Sequence, residues 1–450
     1  MAATGQKLPI REKVGYAVGD TASCLYFQTF SMFLMFFYTD TFGISAAAVG
    51  TMLLITRIWD TFNDPLMGMI SDRTNTRFGK FRPWLLWMIL PYAITGVLTF
   101  ITPNLSLTGK LIYAYVTYTL VTMAYTAINI PYGALLGVMT SNSDQRTKLS
   151  SYRFLGAFGG NLIVQGTLIL LVEKLGRGND QLGYPMAIGV FAIVASGLWF
   201  FTFSSTKERV QVPKGQKTSV KQDLHDLIRN RPWLILGLMG ILTLIWVSIR
   251  NAAMMYYFTY YVGAKEKAAL FMVVGTVMSL AGVASTPYIS KLFKGKKKTF
   301  ILLSAANAVA TGLFFIAGPR DFNIMYASHI IGSFIGGPLM PLTWSMYADT
   351  ADYAEWKFGR RATGLIFSAA TFSQKMGWTV GGAVAGWVLA AFQYVPNVEQ
   401  RAYSLLGIKL MMSILPAIGS LLVCVAAAFY NLNEKYMETI EAELEERRKS

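Results

Sequence analysis

The stretch FFYTDTFG at residues 36–43 recurs as YYFTYYVG at residues 256–263. Thr39 and the final glycine of the first copy, Gly43, return 220 residues later as Thr259 and Gly263. After each copy a further apolar run ends in a basic loop, which reads DRTNTRFGKFRPW at residues 72–84 and KLFKGKKK at residues 291–298. This order indicates that the chain consists of two related halves.

The composition places both halves in a membrane. Of the 450 residues, 54% are hydrophobic and only 14% are charged. A soluble domain of this composition would expose much of its apolar surface to water. A bilayer core about 30 Å thick needs roughly 20 apolar residues per helix. Twelve such windows are predicted, at 18–39, 45–70, 84–102, 111–139, 152–173, 184–205, 233–260, 268–290, 299–317, 323–347, 363–392 and 404–430. The first follows a short polar start without a small-residue cleavage site, so it is predicted to be a span rather than a signal peptide.

The formal net charge of +16 is explained by topology. With the amino terminus inside, 28 of the 40 lysines and arginines fall in segments predicted to be cytoplasmic, and 7 fall on the opposite face. This asymmetry is the positive-inside pattern of membrane proteins, so both termini are predicted to be cytoplasmic. The basic surplus indicates contact with anionic membrane lipid and not with nucleic acid.

One long polar interruption divides six predicted spans from the other six. It runs from 206 to 232 and is predicted to be a cytoplasmic linker between an N-terminal half, 1–205, and a C-terminal half, 233–430, followed by a cytoplasmic tail, 431–450. Duplicated six-helix halves are the architecture of major-facilitator transporters, whose substrate site lies between the halves near the membrane midplane. The predicted fold class is therefore an all-α membrane protein of this architecture.

The second predicted span contains charges that need an explanation. Arg57, Asp60 and Asp64 share one helical face within an otherwise apolar run, and each charge at membrane depth costs roughly 2.5 to 3.5 kcal/mol. A closed ion pair is the simple structural alternative, but Arg57 cannot neutralise both acids. Asn63 adds an amide oxygen, and Pro65 frees a backbone carbonyl about one turn earlier. These hard oxygen ligands suit Na⁺ or H₃O⁺, so the segment is predicted to bind a coupling ion.

The fourth predicted span carries a second polar face. Its members recur at helical steps of four, three, four and three residues, and they are Tyr118, Thr122, Tyr125, Asn129 and Tyr132. A single buried tyrosine is usually packing, whereas five polar residues in register favour a wet cavity. Aromatic rings with hydroxyl and amide groups are what a sugar requires, since rings stack on its C–H surface and polar groups bond its hydroxyls.

Three further cations lie at or within predicted spans, namely Arg153, Arg250 and Lys375. Each is expected either to pair with a buried acid or, if left unpaired, to favour an anionic substrate. Lys375 is a candidate to balance Asp60 or Asp64 from the other half of the molecule. A uronide or another acidic glycoside therefore stays open as the substrate.

An enzyme is the less favoured alternative. Intramembrane prenyltransferases hold pyrophosphate through Mg²⁺ and need a second Asp-rich cluster. The other close acids, Asp349, Asp352 and Glu355, are followed by Lys357, Arg360 and Arg361 at the predicted cytoplasmic end of the tenth span, which favours a salt-bridged gate. Cys24 and Cys424 lie in distant spans, and His225 and His329 are isolated, so no disulfide, metal site or cofactor is predicted.

Five segments together resemble the glycoside-pentoside-hexuronide:cation symporters. They are RIWDTFNDPLMG, DRTNTRFGKFRPW, AYTAINIPYGAL, IRNAAMMYYFTYYVG and YADTADYAEWKFGRRATGLIFSAATFSQKMGW. The resemblance covers essentially the whole chain, and it is the combination that is specific. It implies symport of a sugar or glycoside with Na⁺, H⁺ or Li⁺ by alternating access.

The resemblance also implies roles for individual residues. In that family two acids and an asparagine of the second span, with a threonine of the fourth, hold the cation, and these correspond to Asp60, Asn63, Asp64 and Thr126. A lysine of the eleventh span, a tyrosine of the fourth and an arginine opening the fifth correspond to Lys375, Tyr125 and Arg153.

The positions that correspond to the family's sugar-binding residues differ from those of its galactoside-binding members. Asn129 and Gly133 stand where those members have an aspartate and a tryptophan, and their first-span acid falls on Cys24, with Asp20 and Gln28 one turn to either side. This departure argues against a galactoside, and the extra cation Arg250 favours a xyloside, a uronide or another glycoside.

We therefore expect a symporter of the bacterial inner membrane, monomeric, that couples Na⁺ or H⁺ to the uptake of a small sugar or glycoside. A cation-coupled carrier of lysolipid or of another non-sugar solute is the main alternative. Residues expected to contact the substrate are Gln28, Tyr125, Asn129, Tyr132, Arg153, Arg250 and Lys375. Residues expected to be gating or structural charges are Asp20, Arg57, Asp72, Arg73, Asp349, Asp352 and Arg361.

Overall fold

In the computed structural model the regular elements of the described residues, 8–140, 143–209, 225, 227–293, 295–359 and 363–449, are helical. The N-terminal helices are α1 (Ile10–Phe36), α2 (Ala46–Arg73), α3 (Arg82–Trp87), α4 (Ile89–Thr99), α5 (Leu107–Met139), α6 (Ser143–Gly176) and α7 (Asp180–Ser205). They are followed by α8 (Arg231–Tyr256), α9 (Lys267–Leu292), α10 (Lys296–Leu313), α11 (Phe322–Gly336), α12 (Leu339–Phe358), α13 (Thr363–Ala391), α14 (Ala402–Met412), α15 (Ile414–Ala428) and α16 (Glu434–Lys449).

These helices account for the twelve predicted spans. By length and composition, 7 helical segments of the described residues are long and apolar enough to cross a membrane. The other five predicted spans coincide with α1, α2, α3 with α4, α11 with α12, and α13. Each of these five spans is either divided into two helices or carries polar and charged side chains. The protein is thus an all-α membrane protein of twelve transmembrane helices.

Three spans are each broken into two helices, and a proline explains each break. Pro91, Pro341 and Pro416 each lie two residues after the start of the second helix, in α4, α12 and α15. Proline has no N–H for the carbonyl four residues earlier and its ring crowds that carbonyl. In each case that carbonyl belongs to the end of the preceding helix or to the break itself, so the span bends there.

The chain divides into two compact units. The N-terminal unit comprises Met1–Gly215 with Val395–Val398, and the C-terminal unit comprises Gln216–Tyr394 with Glu399–Ser450. Much of the predicted linker, residues 210–224 and 226, lies outside the described residues. Each unit contains six of the predicted spans and has its own packing.

The two copies of the repeated stretch form the same local structure. Phe37–Thr41 and Tyr257–Val262 are π-helical turns that extend α1 and α8. Gly43 and Gly263 follow them with φ of 84° and 74°, the left-handed region that glycine enters without strain. The repeat in the sequence therefore corresponds to a repeated helix ending.

Glycines allow α6 to approach α1 closely in the N-terminal unit. A Cβ added at Gly160 would lie 2.7 Å from the Cβ of Cys24 and 2.8 Å from the carbonyl oxygen of Thr21. A Cβ at Gly156 would collide with the carbonyl oxygen of Ala17. Spacing of small residues by four places them on one helical face, where two membrane helices can meet backbone to backbone.

The C-terminal unit repeats this contact between α13 and α8. Gly377 and Gly381 follow the first glycine pair by 221 residues. Cβ atoms there would lie 2.6 Å from the carbonyl oxygen of Ile241 and 2.5 Å from that of Ile245. Both units are therefore held by a glycine seam, here defined as the contact of Gly156 and Gly160 with α1 and of Gly377 and Gly381 with α8.

We expect Gly160→Ala to destabilise the protein, because its methyl group must push α1 and α6 apart at the glycine seam. Such overpacking costs typically about 1–3 kcal/mol. Gly159→Ala is a matched control, since a Cβ at Gly159 meets nothing within 4 Å and alanine is the better helix former. The check is the melting temperature of the purified variants in detergent. Equal melting temperatures for the two variants would contradict the close contact.

The basic loop before α3 is held by one carboxylate. Glu208 accepts hydrogen bonds from the backbone N–H groups of Lys80, Phe81 and Arg82 at 2.9, 2.8 and 2.9 Å. Negative charge is stabilised at the N-terminus of a helix, where free N–H groups converge. Gly79, with φ of 108°, leaves space for the carboxylate.

The C-terminal unit places a glutamate at the equivalent position. Gly295 has φ of 139° directly before α10, and a side chain there would collide with the carboxylate of Glu434. At the start of α10, Lys296 donates to both carboxylate oxygens of Asp349 at 2.7 and 2.9 Å. The predicted gating charge Asp349 thus has an ion-pair partner on a neighbouring helix.

The C-terminal segment forms a packed helix. Met437, Ile440 and Leu444 of α16 are buried at helical spacing in one core with α12. Glu443 accepts a hydrogen bond of 2.6 Å from the indole nitrogen of Trp356 in α12. The segment predicted only as a polar tail therefore stabilises the end of α12.

Candidate functional site

Candidate cation ligands lie on α2 and α5, which pack against each other in the N-terminal unit. Thr126 Oγ1 donates a hydrogen bond of 3.0 Å to Asp64 Oδ1. Thr126 is buried and Asp64 is half-buried, as is Asn63 beside it. Pro65 lies inside α2 and leaves a carbonyl one turn earlier without its helical donor. The structure thus brings a carboxylate and a hydroxyl oxygen together, and such oxygens are ligands for a hard cation.

The second acid of α2 has a charged neighbour. Asp60 is 6% exposed, and Arg57 Nη1 lies 3.4 Å from its Oδ2. Arg57 also donates a hydrogen bond to the hydroxyl of Tyr118 in α5. Two carboxylates and one guanidinium give this helical face a formal charge of −1, which one monovalent cation cancels.

Burial divides the polar face predicted on α5. Tyr118, Thr122 and Tyr132 are buried at 1%, 3% and 0% exposure, while Tyr125 and Asn129 are half-buried. The expectation that all five line an open cavity is therefore not met in this structure. The rings of Tyr118 and Tyr132 contact rings of α1, and the hydroxyl of Thr122 donates to the carbonyl of Thr119 in its own helix.

Tyr132 shows this packing most clearly. Its hydroxyl donates a hydrogen bond of 2.6 Å to the carbonyl of Tyr16, and the two rings stack at 4.7 Å. Its ring also meets Trp199 edge-on at 5.3 Å. In this structure Tyr132 joins α1, α5 and α7 and contacts no open surface.

The half-buried part of the α5 face is oriented by α1. Asn129 Oδ1 accepts a hydrogen bond of 2.7 Å from Ser23, and its Nδ2 donates to the carbonyl of Tyr125 at 3.1 Å. The ring of Phe27 is inclined by 28° to that of Tyr125, and the ring centres are 6.4 Å apart. The buried Oε1 of Gln28 has no hydrogen-bond partner among the described residues. These groups provide an aromatic ring and a hydrogen-bond acceptor that has no partner among the described residues, and both suit a sugar.

Arg153 is paired within the N-terminal unit. Its Nε lies 3.0 Å from Asp20 Oδ2, and its guanidinium carbon lies 5.1 Å from the ring centre of Tyr132. The sequence left open whether this cation pairs with an acid or meets an anionic substrate, and the structure shows the pair. The two charges join α1 to α6 beside the glycine seam.

Arg250 has a different environment, in the C-terminal unit. Its Nη2 lies 3.4 Å from Nδ1 of His329, and none of the ion pairs between described residues includes it. Lys375 has an exposed side chain on α13 of the same unit. Its predicted charge balance with Asp60 and Asp64 stays a prediction.

The remaining predicted charges lie near helix ends. Arg73 is exposed at the end of α2, and Asp352 is half-buried in α12. The side chain of Asp72 and all of Arg361 lie outside the described residues, so their gating roles stay predictions.

Two contributing residues were not identified from the sequence. Ser23 orients Asn129, yet a serine in an apolar span carries no signal of its own. His329 was considered too isolated for a role, but α11 carries it to Arg250 of α8. Its separation of 79 residues from Arg250 hides the contact, because proximity between distant helices cannot be read from spacing.

Relatives and solved structures agree with this architecture. The family described as MFS/sugar transport protein matches residues 15–434. The "Inner membrane symporter YicJ" of Escherichia coli is 39% identical, over 97% of this chain and 95% of its own. The "Putative glycoside/cation symporter YagG" of the same organism is 35% identical, over 97% and 95%.

A crystal structure of the nucleoside transporter NupG has the same fold. Its TM-score is 0.66 at 12% identity, and the match covers 94% of this chain and 100% of that one. The solved fold and the relatives are those of transporters and not of enzymes. The chain therefore belongs to the MFS/sugar transport protein family, and the predicted kinship with the glycoside-pentoside-hexuronide:cation symporters is confirmed.

Proposed function

We propose that the protein couples the influx of Na⁺ or H⁺ to the uptake of a sugar or glycoside by alternating access. The observation that carries the proposal is the contact between Asp64 of α2 and Thr126 of α5, beside the buried Asp60. Carboxylates are costly at membrane depth, and a cation bound between two helices offsets that cost. The relative named as a putative glycoside/cation symporter supports the same function.

Coupling follows from mutual affinity. A cation held by Asp60, Asn63, Asp64 and Thr126 cancels the negative charge of α2 and draws α2 toward α5. We propose that cancelling this charge makes the sugar site competent to bind its substrate. Linkage requires that the sugar then raise the affinity for the cation by the same factor.

The sugar side of the proposal rests on the half-buried groups of the N-terminal unit. Tyr125 offers a ring face, Asn129 is oriented by Ser23, and Gln28 offers an acceptor. Stacking on a sugar's C–H face and directional bonds to its hydroxyls select a glycoside over an apolar solute. Arg153, because it is paired with Asp20, is proposed to position α1 rather than to bind the substrate.

The location follows from the charge distribution. The relative named as an inner membrane symporter and the positive-inside pattern support a bacterial inner membrane protein with both termini in the cytoplasm. We propose further that the basic loops contact anionic lipid and that the protein is a monomer.

The first test is thermal stabilisation of the purified protein by neutral glycosides, pentosides and uronides, each with and without Na⁺ at two pH values. A ligand that binds the folded protein raises its stability by mass action. A sugar that stabilises more strongly with Na⁺ identifies both substrate and ion, and stabilisation that follows pH alone identifies a proton symporter. Stabilisation by lysolipids but by no sugar would contradict the sugar assignment and support the lysolipid carrier.

A further inference from the structure

Arg250 lies half-buried in the membrane-spanning helix α8. A guanidinium has five N–H donors and no acceptor. Its Nε is buried without a hydrogen-bond partner among the described residues. Its Nη2 lies 3.4 Å from Nδ1 of His329, and its guanidinium carbon lies 5.6 Å from the ring centre of Phe314.

These contacts do not offset the cost of the charge. The hydrogen bond exceeds the usual range of about 2.7–3.2 Å, and the ring contact is near the outer limit of about 6 Å for cation–π attraction. A charge in a membrane span is costly, and a buried donor without a partner adds to that cost. Arg250 thus lacks an anionic acceptor within the described part of its own unit.

The tautomer of His329 follows from its two neighbours. Arg250 can only donate, so Nδ1 of His329 must accept. The carbonyl of Phe271, 3.0 Å from Nε2 of His329, can only accept, so Nε2 must carry the proton. His329 is therefore neutral, and it orients Arg250 without cancelling its charge.

The ring of His329 is rigidly held. It stacks on the ring of Phe271 at 3.8 Å with an interplanar angle of 8°. Gly275 of α9 leaves the space for it, since a Cβ there would collide with the imidazole. A fixed neutral acceptor beside an oriented guanidinium forms a preorganised half of an anion site, in which little side-chain freedom is lost on binding.

We infer that Arg250, oriented by His329, binds an anionic group of the transported substrate, so that the cargo is an acidic sugar such as a uronide or a sulfonated sugar. This rests on the proposed function. A carboxylate or sulfonate accepts two parallel N–H bonds from one guanidinium, which satisfies the buried Nε and supplies the missing negative charge. Arg250 is then the residue that separates acidic from neutral sugars.

The test compares matched ligands on the full-length protein in detergent. The methyl glycosides of glucuronic and galacturonic acid are ionised at neutral pH, while their glucuronamide and galacturonamide counterparts have the same shape and no charge. Thermal stabilisation is titrated with each, with the coupling ion present. We expect the preferred uronide to half-saturate at a concentration at least about tenfold below that of its amide, or about 1.4 kcal/mol.

Variants then show which residue is responsible for the preference for the acid over its neutral amide. Arg250→Gln is expected to lose the preference for the acid while still binding the neutral amide, and Arg250→Lys is expected to retain part of the preference. His329→Asn, which keeps an acceptor near Arg250, should preserve more of the preference than His329→Phe. A purely structural role for His329 would instead change the affinities for acid and amide equally.

The outcomes separate this inference from the proposed function. If the wild-type protein binds neutral glycosides as tightly as uronides, in an ion-dependent manner, the acidic substrate is excluded while the symport function stands. Should Arg250→Gln keep the full preference for the acid, the assignment to Arg250 is wrong. If neither acidic nor neutral sugars stabilise the wild-type protein under any ion condition, both the inference and the sugar symport fall.

Discussion

Asp64→Asn is expected to abolish the accumulation of sugar against its gradient while the protein stays folded. The variant keeps a hydrogen-bond acceptor for Thr126, whose hydroxyl contacts Asp64 at 3.0 Å, but removes the negative charge that a cation needs. Without cation binding, the inward gradient of Na⁺ or H⁺ no longer drives uptake. The internal sugar concentration should then rise only to the external one.

The measurement uses proteoliposomes in two modes with the sugar identified by thermal stabilisation. Gradient-driven uptake should be lost in Asp64→Asn, whereas exchange of labelled for unlabelled sugar should persist. Thr126→Val is a milder variant of the same contact, since it removes one neutral oxygen and keeps the shape. We expect it to raise the ion concentration for half-maximal uptake. Accumulation by Asp64→Asn with unchanged ion dependence would contradict the cation site.

Asp60→Asn should behave differently, and the difference tests the geometry of α2. Asp60 is buried beside Arg57, so its neutralisation removes the carboxylate nearest to that guanidinium and lowers stability as well as coupling. Adding Arg57→Gln removes the second charge. The double variant is expected to regain stability but not coupling, because the cation site still lacks an acid.

Breaking the pair of Asp20 and Arg153 is expected to cause the second large effect. Loss of one partner of a fully buried pair costs about 3–5 kcal/mol. Here the side chain of Asp20 is 13% exposed and that of Arg153 is 35% exposed, so solvent screening lowers the cost, to roughly 2 kcal/mol. Asp20→Asn and Arg153→Gln should each lower the melting temperature measurably.

The double variant Asp20→Asn with Arg153→Gln separates structure from substrate binding. Two neutral amides can hydrogen-bond each other, so most of the lost stability is expected to return. If sugar binding also returns, the pair positions α1 against α6. Failure of the double variant to recover thermal stability would show that the two charges do not act as a pair. The matched measurements are melting temperature and sugar affinity on the same protein preparation.

The fold was largely predictable because a bilayer imposes strong rules. Apolar windows, the loop charges and the repeated stretch predicted twelve helices in two related halves, since every backbone polar group in lipid must be satisfied within a helix. The prolines of α4, α12 and α15 act locally at their breaks, but Pro65 lies inside the unbroken helix α2, so a proline in the sequence does not by itself predict a break. The helix formed by the C-terminal segment was missed, because its apolar residues are sparse and its partner surface is on α12.

The sites were only partly predictable. Asp60, Asn63 and Asp64 share one helix, so periodicity groups them, and the resemblance to known symporters added Thr126. The sequence could not predict which of Arg153 and Arg250 pairs with an acid, since both are single arginines in apolar spans. Pairing depends on which side chain of another helix lies opposite, and here it was Asp20 for Arg153 and the neutral His329 for Arg250.

From the amino-acid sequence one can predict that the protein spans a membrane, that it has two related halves, and that the second span carries charge. These properties follow from composition and spacing along one chain. The three-dimensional fold is needed to show which charges are neutralised, which tyrosines are buried, and which arginine lacks an anionic partner among the described residues. Electrostatic energy depends on distances of a few ångströms between helices that are far apart in the sequence, and folding alone sets those distances.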